Sequence, residues 1–168
     1  MAFKVFLSYS TDPEEHAIVW RLQTLATAQG IHVFVPQRTG PGVPAARGGA
    51  TGPILSEQIR NAIDQSDCVL AIITTSTGGA VESELSYAQG KGKLIIPLVE
   101  QNVQNDTFLK TFSPVFKFSR LDGNPGRVEM EVFEFLKKQE KNKEILQAVG
   151  ALVTVGMGLL LLASLSKD

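Results

Sequence analysis

Two glutamates near the middle of the chain are of the residue type that acid–base or electrostatic catalysis uses. Glu82 and Glu84 lie in residues 74–90, TTSTGGAVESELSYAQG. Residues two apart on a helix point about 200° away from each other, so only one of the two can face a cleft. The apolar stripe of this helix consists of Val81, Leu85 and Ala88. Glu84 lies about 65° to one side of the middle of this stripe, and Glu82 lies about 95° to the other side. Of the two acids, the pattern favours Glu84 as the one that faces inward. The alternative, two solvated surface acids at a helix start, is the better explanation of this pattern taken by itself.

A loop rich in glycine and proline offers a second kind of chemistry. Residues 36–53, PQRTGPGVPAARGGATGP, contain five glycines, four prolines and two arginines, Arg38 and Arg47. Glycine backbone can approach a phosphate closely, and arginine can pair with it. Neither GxGxxG nor GxxxxGK[ST] occurs, so the loop has no standard phosphate fingerprint. A loop of this length favours a function, and a flexible connection without a ligand is the alternative.

Composition disfavours several other classes of protein. His16 and His32 lie far apart, and no GxSxG elbow or Cys–His pair indicates a hydrolase triad. Two histidines and the single cysteine, Cys68, are too few for a structural zinc site, and we expect no metal. Sixteen basic and 17 acidic residues give a net charge of −1, which argues against nucleic-acid binding.

Alternating strand-like and helical segments must position these residues. Strands are predicted from short apolar runs at residues 3–7, 31–35, 68–74, 94–99 and 115–118. A first helix is predicted to begin at the acids that follow Thr11 and to end at Gly30. Further helices are predicted at residues 54–65, 80–89 and 128–143. This alternation indicates right-handed βαβ units and thus an α/β fold, with a five-stranded, mostly parallel sheet flanked by helices.

One edge of such a sheet is the expected location of a ligand. Ligands bind beyond the carboxyl ends of parallel strands. The segments that follow the predicted strands therefore share one rim, at residues 8–11, 36–53, 74–79 and 100–105.

The C-terminal segment has a different composition from the rest. Residues 145–166, ILQAVGALVTVGMGLLLLASLS, form a run of 22 residues without a charge, which as a helix of about 33 Å could cross a bilayer. A buried core helix or an amphipathic surface helix fits less well, because the segment is apolar on every side. Lysines just before it predict that the N-terminal domain is cytoplasmic. We expect a domain at 1–140 and a single-pass transmembrane helix with a short tail at 141–168.

Four segments together resemble the TIR (Toll/interleukin-1 receptor) domain family. Residues 4–10, KVFLSYS, with Asp12 are similar to the family's first box, (F/V)-(I/L)-S-Y-S-x-x-D. Arg38 and the GPG that follows fall where the family has a long loop after its second strand. Residues 54–75 are similar to the next helix and strand of the family, and residues 81–97 to its W-x-x-x-E-(L/I)…G-K-x-I-I-P region. The resemblance covers about residues 3–140 and implies a flavodoxin-like TIR fold of prokaryotic type.

The resemblance also implies an activity and a site. Many TIR domains cleave NAD at the nicotinamide–ribose bond, and the catalytic glutamate of their W-x-x-x-E box falls on Glu84 here. NAD+ is then the substrate, and no cofactor is expected. Residues implied to contact the nucleotide are Ser8, Tyr9, Ser10, Thr11, Arg38 and Ser76.

Two functional classes follow from the resemblance. The first is a membrane-anchored NAD+ nucleosidase that hydrolyses NAD or forms a cyclic ADP-ribose product, as an effector of prokaryotic antiphage immunity activated by oligomerisation. Its expected partners are other TIR subunits, membrane lipid and a sensor protein. The alternative is a non-catalytic TIR interaction or adaptor module, favoured by Ala80 at the position where the family often has Trp.

Overall fold

The computed structural model describes residues 2–10, 13–37, 55–74, 79–103, 109–119 and 126–144. A fourth helix, α4, spans 127–144 within these ranges. The chain divides into two units, Met1–Met130, which contains the sheet, and Glu131–Asp168. The elements before α4 are β1 (Lys4–Ser8), α1 (Pro13–Ala28), β2 (His32–Phe34), α2 (Glu57–Gln65), β3 (Cys68–Ile73), α3 (Gly79–Gly90), β4 (Leu94–Glu100), a 3-10 helix (Leu109–Thr111) and β5 (Phe116–Phe118).

The five strands form one parallel sheet in the order β2-β1-β3-β4-β5. The chain passes from β1 to β2 on one side and then returns to β3 on the other side of β1. Because such crossovers are right-handed, α1 lies on one face of the sheet, and α2 and α3 lie on the other. The predicted α/β fold with a five-stranded parallel sheet is confirmed. In this strand order a ligand is expected at the switch point, between the carboxyl ends of β1 and β3.

Glycines end the two helices that lead into β2 and β4. Gly30 and Gly92 follow α1 and α3 with φ of 72° and 65°, a left-handed conformation that favours glycine. The N–H of Ile31 donates to the carbonyl of Ala26 at 2.9 Å, and the equivalent bond after α3 ends on Ala88 at 3.0 Å. Both turns are Schellman motifs, which satisfy the last helical carbonyls and direct the chain straight into the next strand.

A hydrophobic cluster fixes α2 and α3 on their face of the sheet. The side chains of a strand alternate between faces, so Phe6 belongs to this cluster, whereas the buried Val5 and Leu7 do not. Burial of such side chains is the main favourable term in folding. The cluster consists of Phe6, Ile63, Val69, Ala71, Ile73, Val81, Leu85, Ala88, Ile95, Val99 and Leu109.

The structure differs from the predicted elements mainly at their ends. The second helix, predicted from residue 54, begins at Glu57, because the Ser56 side chain caps it by accepting from the Ile59 N–H at 3.3 Å. The second strand has three residues where five were predicted, since this edge strand pairs with β1 through Lys4, Val5 and Phe6 alone.

The predicted membrane span lies outside the part of the chain that the structure describes. Residues 145–166 are not among the described ranges. Within those ranges, no helix is both long enough and apolar enough to cross a bilayer.

Candidate functional site

Helix α3 turns one of its two glutamates into the protein. Glu84 is 1% exposed, whereas Glu82 lies on the exposed side of the helix. Val81, Leu85 and Ala88, the predicted apolar stripe, are all buried. The direction in which Glu84 points was therefore predicted correctly from helical geometry.

The carboxylate of Glu84 meets the end of β1 at the switch point of the sheet. Ser8 is the last residue of β1, is fully buried and pairs with Ala71 of β3. Its hydroxyl donates to Oε2 of Glu84 at 2.5 Å. Hydrogen bonds to a carboxylate are shorter and stronger than those between neutral groups. The structure thus joins two of the predicted site residues, 76 positions apart in the sequence, in one buried hydrogen bond.

The next two residues continue along the same rim. Tyr9 is buried, and its hydroxyl donates to the carbonyl of Pro36 at 2.7 Å. Its ring meets that of His16 edge-on, with centroids 5.8 Å apart. The N–H of Ser10 donates to Oε2 of Glu15 at 2.6 Å. Three of the residues predicted to contact the nucleotide, Ser8, Tyr9 and Ser10, therefore form one continuous segment whose first residue contacts Glu84.

The remaining predicted contacts cannot be compared with the structure. Thr11, Arg38 and Ser76 lie outside the described residues, as does Arg47. The described part of the predicted site consists of Glu84 and the segment 8–10.

Glu15 is a second buried carboxylate, which the sequence analysis did not select. It lies in the first turns of α1, is 1% exposed and accepts from both the Ser10 N–H and the Thr74 hydroxyl, the latter at 2.7 Å. A signal was present in the sequence: Glu15 lies seven residues before the buried Leu22 and thus on the apolar stripe of α1. An acid in phase with such a stripe must find hydrogen-bond donors inside the protein.

The site offers an oriented, buried carboxylate, that of Glu84. Among the described residues, no three His, Cys, Asp or Glu side chains are grouped so that they could hold a metal ion. Burial, with a smaller effect of the nearby Asp67 carboxylate, raises the pKa of the Cys68 thiol, so this cysteine stays protonated and is a poor nucleophile. A carboxylate fixed at a cleft can stabilise positive charge that develops on a bound substrate.

Comparisons with known proteins bear on this arrangement. The family model of the TIR domain matches residues 5–130. No curated protein matches the chain.

Solved structures that resemble the chain share little sequence with it. They include the CMP N-glycosidase BcmB of Clostridium botulinum (19% identity, 82% of this chain and 98% of that one, TM-score 0.48). The TIR domains of the activated Roq1 resistosome, which recognises the pathogen effector XopQ, match at 17% identity (86% and 78%, TM-score 0.45). The signal receiver domain of a putative Luxo repressor protein from Vibrio parahaemolyticus matches at 13% identity (86% and 98%, TM-score 0.50), a likeness of fold alone.

The family match agrees with the structure along most of the chain. It begins within β1, includes every strand of the sheet and ends in the first turn of α4. The segment that carries Ser8 and the helix that carries Glu84 both lie inside it. The chain therefore belongs to the TIR-domain family.

Proposed function

We propose that the protein is an NAD+ nucleosidase in which Glu84 is the catalytic residue. The observation that carries the proposal is the position of Glu84: a carboxylate 1% exposed, held by the Ser8 hydroxyl at 2.5 Å, at the carboxyl end of β1. A fold retains a buried carboxylate at a cost in desolvation. Such a group, at the place where open α/β sheets bind ligands, is a candidate for function.

One carboxylate is sufficient for this reaction. When the bond between the ribose C1′ and nicotinamide breaks, its electron pair goes to the nicotinamide nitrogen, which leaves as a neutral molecule without a general acid. The ribose becomes oxocarbenium-like, and the negative charge of Glu84 stabilises it, as carboxylates do in glycoside cleavage. Water then adds at C1′ and releases a proton, or a nitrogen of the adenine attacks and closes a cyclic ADP-ribose.

The proposal assigns nucleotide binding to the rim around Glu84. Tyr9 and Ser10 follow Ser8 directly on this rim. Thr11 and Ser76 are proposed to contact the nucleotide, and Arg38 its phosphates, on the strength of the sequence alone.

Two variants of one helix test the proposal. We expect Glu84→Gln to lower nicotinamide release from NAD+ by about 10²- to 10³-fold, because the charge that stabilises the transition state is lost. Its fold should persist, since the amide oxygen can still accept from Ser8. Glu82→Gln removes the same charge from the exposed side of α3 and is the matched control. Nicotinamide is measured chromatographically on concentrated full-length protein. Full turnover in Glu84→Gln with loss in Glu82→Gln would assign the reaction to the other glutamate.

The proposal includes a membrane anchor and self-assembly. Residues 145–166 are proposed to span the bilayer with the TIR domain in the cytoplasm, and tethering would raise the local concentration of TIR subunits to about millimolar. In this form, activated by other TIR subunits or a sensor protein, the protein would act in prokaryotic antiphage defence. The full chain should sediment with membranes and resist carbonate extraction, whereas a chain ending at residue 144 should remain soluble. Equal behaviour of both chains would remove the anchor from the proposal.

A second candidate function is supported by Ala80. This exposed residue near the start of α3 stands where the family often has Trp. A TIR domain that lacks this side chain could serve as a non-catalytic interaction or adaptor module. Absence of NAD+ cleavage by the assembled wild-type protein, together with unchanged self-association of Glu84→Gln, would favour this function.

A further inference from the structure

Glu15 is a buried carboxylate for which the proposed reaction has no use. Its two oxygens take one donor each: Oε2 accepts from the N–H of Ser10 at 2.6 Å and Oε1 from the hydroxyl of Thr74 at 2.7 Å. Ser10 lies two residues after the end of β1, and Thr74 lies directly after the end of β3. Thr74 is 59 positions from Glu15 in the sequence. Glu15 therefore links the carboxyl ends of the two strands that border the switch point.

The two buried glutamates approach one segment from opposite faces of the sheet. The right-handed crossovers place α1, which carries Glu15, on the face opposite to α3, which carries Glu84. Glu84 holds the segment at the Ser8 side chain, and Glu15 holds it two residues later at the Ser10 backbone. A displacement of Ser10 would be transmitted along two residues of backbone to the hydroxyl that orients Glu84.

We propose that Glu15 is a positioning residue of the site: by fixing Ser10 and Thr74 it holds Ser8 at the distance from which its hydroxyl orients the Glu84 carboxylate. The expected effect of Glu15 on turnover rests on the proposed function, whereas its effect on the position of Ser8 does not. Hydrogen bonds to charged acceptors are the stronger class, and an ionised carboxylate is an acceptor at both oxygens. Glu15 is thus suited to receive two donors from two strands at once.

The side chain of glutamine separates geometry from charge at this position. In Glu15→Gln the amide oxygen can accept from the Ser10 N–H, while the amide nitrogen can donate to the Thr74 hydroxyl, which also accepts. In Glu15→Ala both contacts are lost. A positioning role predicts that glutamine restores most of what alanine removes.

The kinetic experiment compares these variants on full-length protein. We expect Glu15→Ala to lower kcat by roughly 10- to 100-fold, with a smaller change in KM, because displacement of catalytic groups by about 1 Å has effects of this size. Glu15→Gln should remain within a few-fold of wild type. Leu22→Ala, in the buried stripe of the same helix, controls for destabilisation, since Leu22 contributes to the core and not to these hydrogen bonds. Equal kcat losses in Glu15→Ala and Leu22→Ala would overturn the proposal.

A spectroscopic experiment tests the positioning without turnover. Amide hydrogen exchange at Ser10 should accelerate in Glu15→Ala and stay slow in Glu15→Gln. The carboxyl ¹³C resonance of Glu84 should shift in Glu15→Ala, although the two glutamates lie on opposite faces. Thr74→Val, which removes one donor and leaves the Ser10 bond, provides a milder variant if alanine prevents folding, and should give a smaller shift. An unmoved Glu84 resonance in folded variants would overturn the proposal.

The two experiments distinguish the failure of this inference from that of the proposed function. If wild-type protein releases no nicotinamide but the Glu84 resonance shifts in Glu15→Ala, the reaction is wrong and the positioning stands. If wild-type protein is active and Glu15→Ala alters neither kcat nor the resonance, the positioning is wrong and the reaction stands.

Discussion

At the carboxyl end of the sheet Glu15 and Glu84 are almost fully buried, whereas at the amino end the side chains of Asp64 and Lys91 remain 38% and 47% exposed. The buried glutamates accept from hydroxyl groups and a backbone N–H. The exposed pair combines opposite charges, with 3.5 Å between Lys91 Nζ and Asp64 Oδ1. The two ends thus differ in both the burial and the pairing of their ionisable groups.

The amino end shows how this protein uses charge to support its fold. The ammonium group of Lys93, just before β4, donates to the carbonyls of Asp64 and Ser66 at 2.7 Å each, at the C-terminus of α2. The hydroxyl of Tyr87 donates to Asp64 Oδ2 at 3.1 Å, and the Lys91 ammonium lies 5.2 Å from the centroid of the Tyr87 ring. A cation at the end of a helix and partly exposed ion pairs stabilise a fold without burying charge.

The difference supports the proposal that the carboxyl end of the sheet carries the function. Burying a carboxylate costs free energy, even when donors surround it, and stability alone does not require one there. Exceptions to the rules of stability are expected where a protein binds or reacts. The amino end follows those rules, and the carboxyl end departs from them at Glu15, at Glu84 and at Glu100, the last residue of β4.

Among changes to the residues that support Glu84, the largest effect is expected from removing the Ser8 hydroxyl, which donates to its carboxylate. Ser8→Ala leaves a buried carboxylate short of one hydrogen bond, so we expect the free energy of unfolding to fall by about 1–3 kcal/mol. A less well oriented carboxylate should also reduce kcat for nicotinamide release by roughly 100-fold, equivalent to about 2.7 kcal/mol of transition-state stabilisation and no less than the loss in Glu15→Ala, which acts through Ser8. Denaturant unfolding and NAD+ turnover measure the two effects.

A second serine provides the control for this prediction. The Ser83 hydroxyl, on the more exposed side of α3, donates to the Gly79 carbonyl at 2.7 Å within the same helix. Ser83→Ala should therefore change both the unfolding free energy and kcat less than Ser8→Ala does. If the two variants behave alike, the hydrogen bond from Ser8 to Glu84 has no special role, and the contrast between the two ends weakens.

The sheet could be predicted from the sequence because its signal is local. The runs that became β3 and β4 are apolar on both faces, as strands covered by helices on both sides must be, and the structure buries all of β3. The short edge strand β2 was predicted too long, since its length depends on its pairing with β1 rather than on its own apolar residues.

The site could be predicted only in part because three of the four hydrogen bonds described for it join residues at least 27 positions apart. The inward direction of Glu84 follows from the helical phase of its neighbours, which a single segment contains. The role of Glu15 depends on Thr74, 59 residues away, and on a backbone N–H, a group that every residue except proline carries and that no sequence pattern marks. Acids near the start of a helix also have a common explanation in the helix dipole, and the acids after Thr11 were interpreted only as a sign of a helix start.

A smaller effect, confined to stability, is expected at the amino end. Lys93→Met keeps most of the aliphatic side chain but removes the ammonium group that donates to the carbonyls of Asp64 and Ser66. We expect the free energy of unfolding to fall by about 1–2 kcal/mol, since a cationic donor and its interaction with the helix terminus are lost together. Turnover of NAD+ per folded molecule should equal that of wild type, because the change lies at the opposite end of the sheet from Glu84.

Lys91→Gln is the matched control for Lys93→Met, since it removes a neighbouring lysine whose charge is exposed. The hydrogen bond with Tyr87 and, to a smaller degree, the charge of Asp64 raise the pKa of Lys91 above its ordinary value of 10.5. Because the folded-state pKa is raised, any stabilisation by Lys91 is present below pH 10.5 and is lost as the pH rises through the folded-state pKa. Lys91→Gln should thus be nearly as stable as wild type at neutral pH, and the small difference should vanish at high pH. A loss of NAD+ turnover per folded molecule in Lys93→Met would show that the two ends of the sheet are coupled and that the assignment of function to one end is wrong.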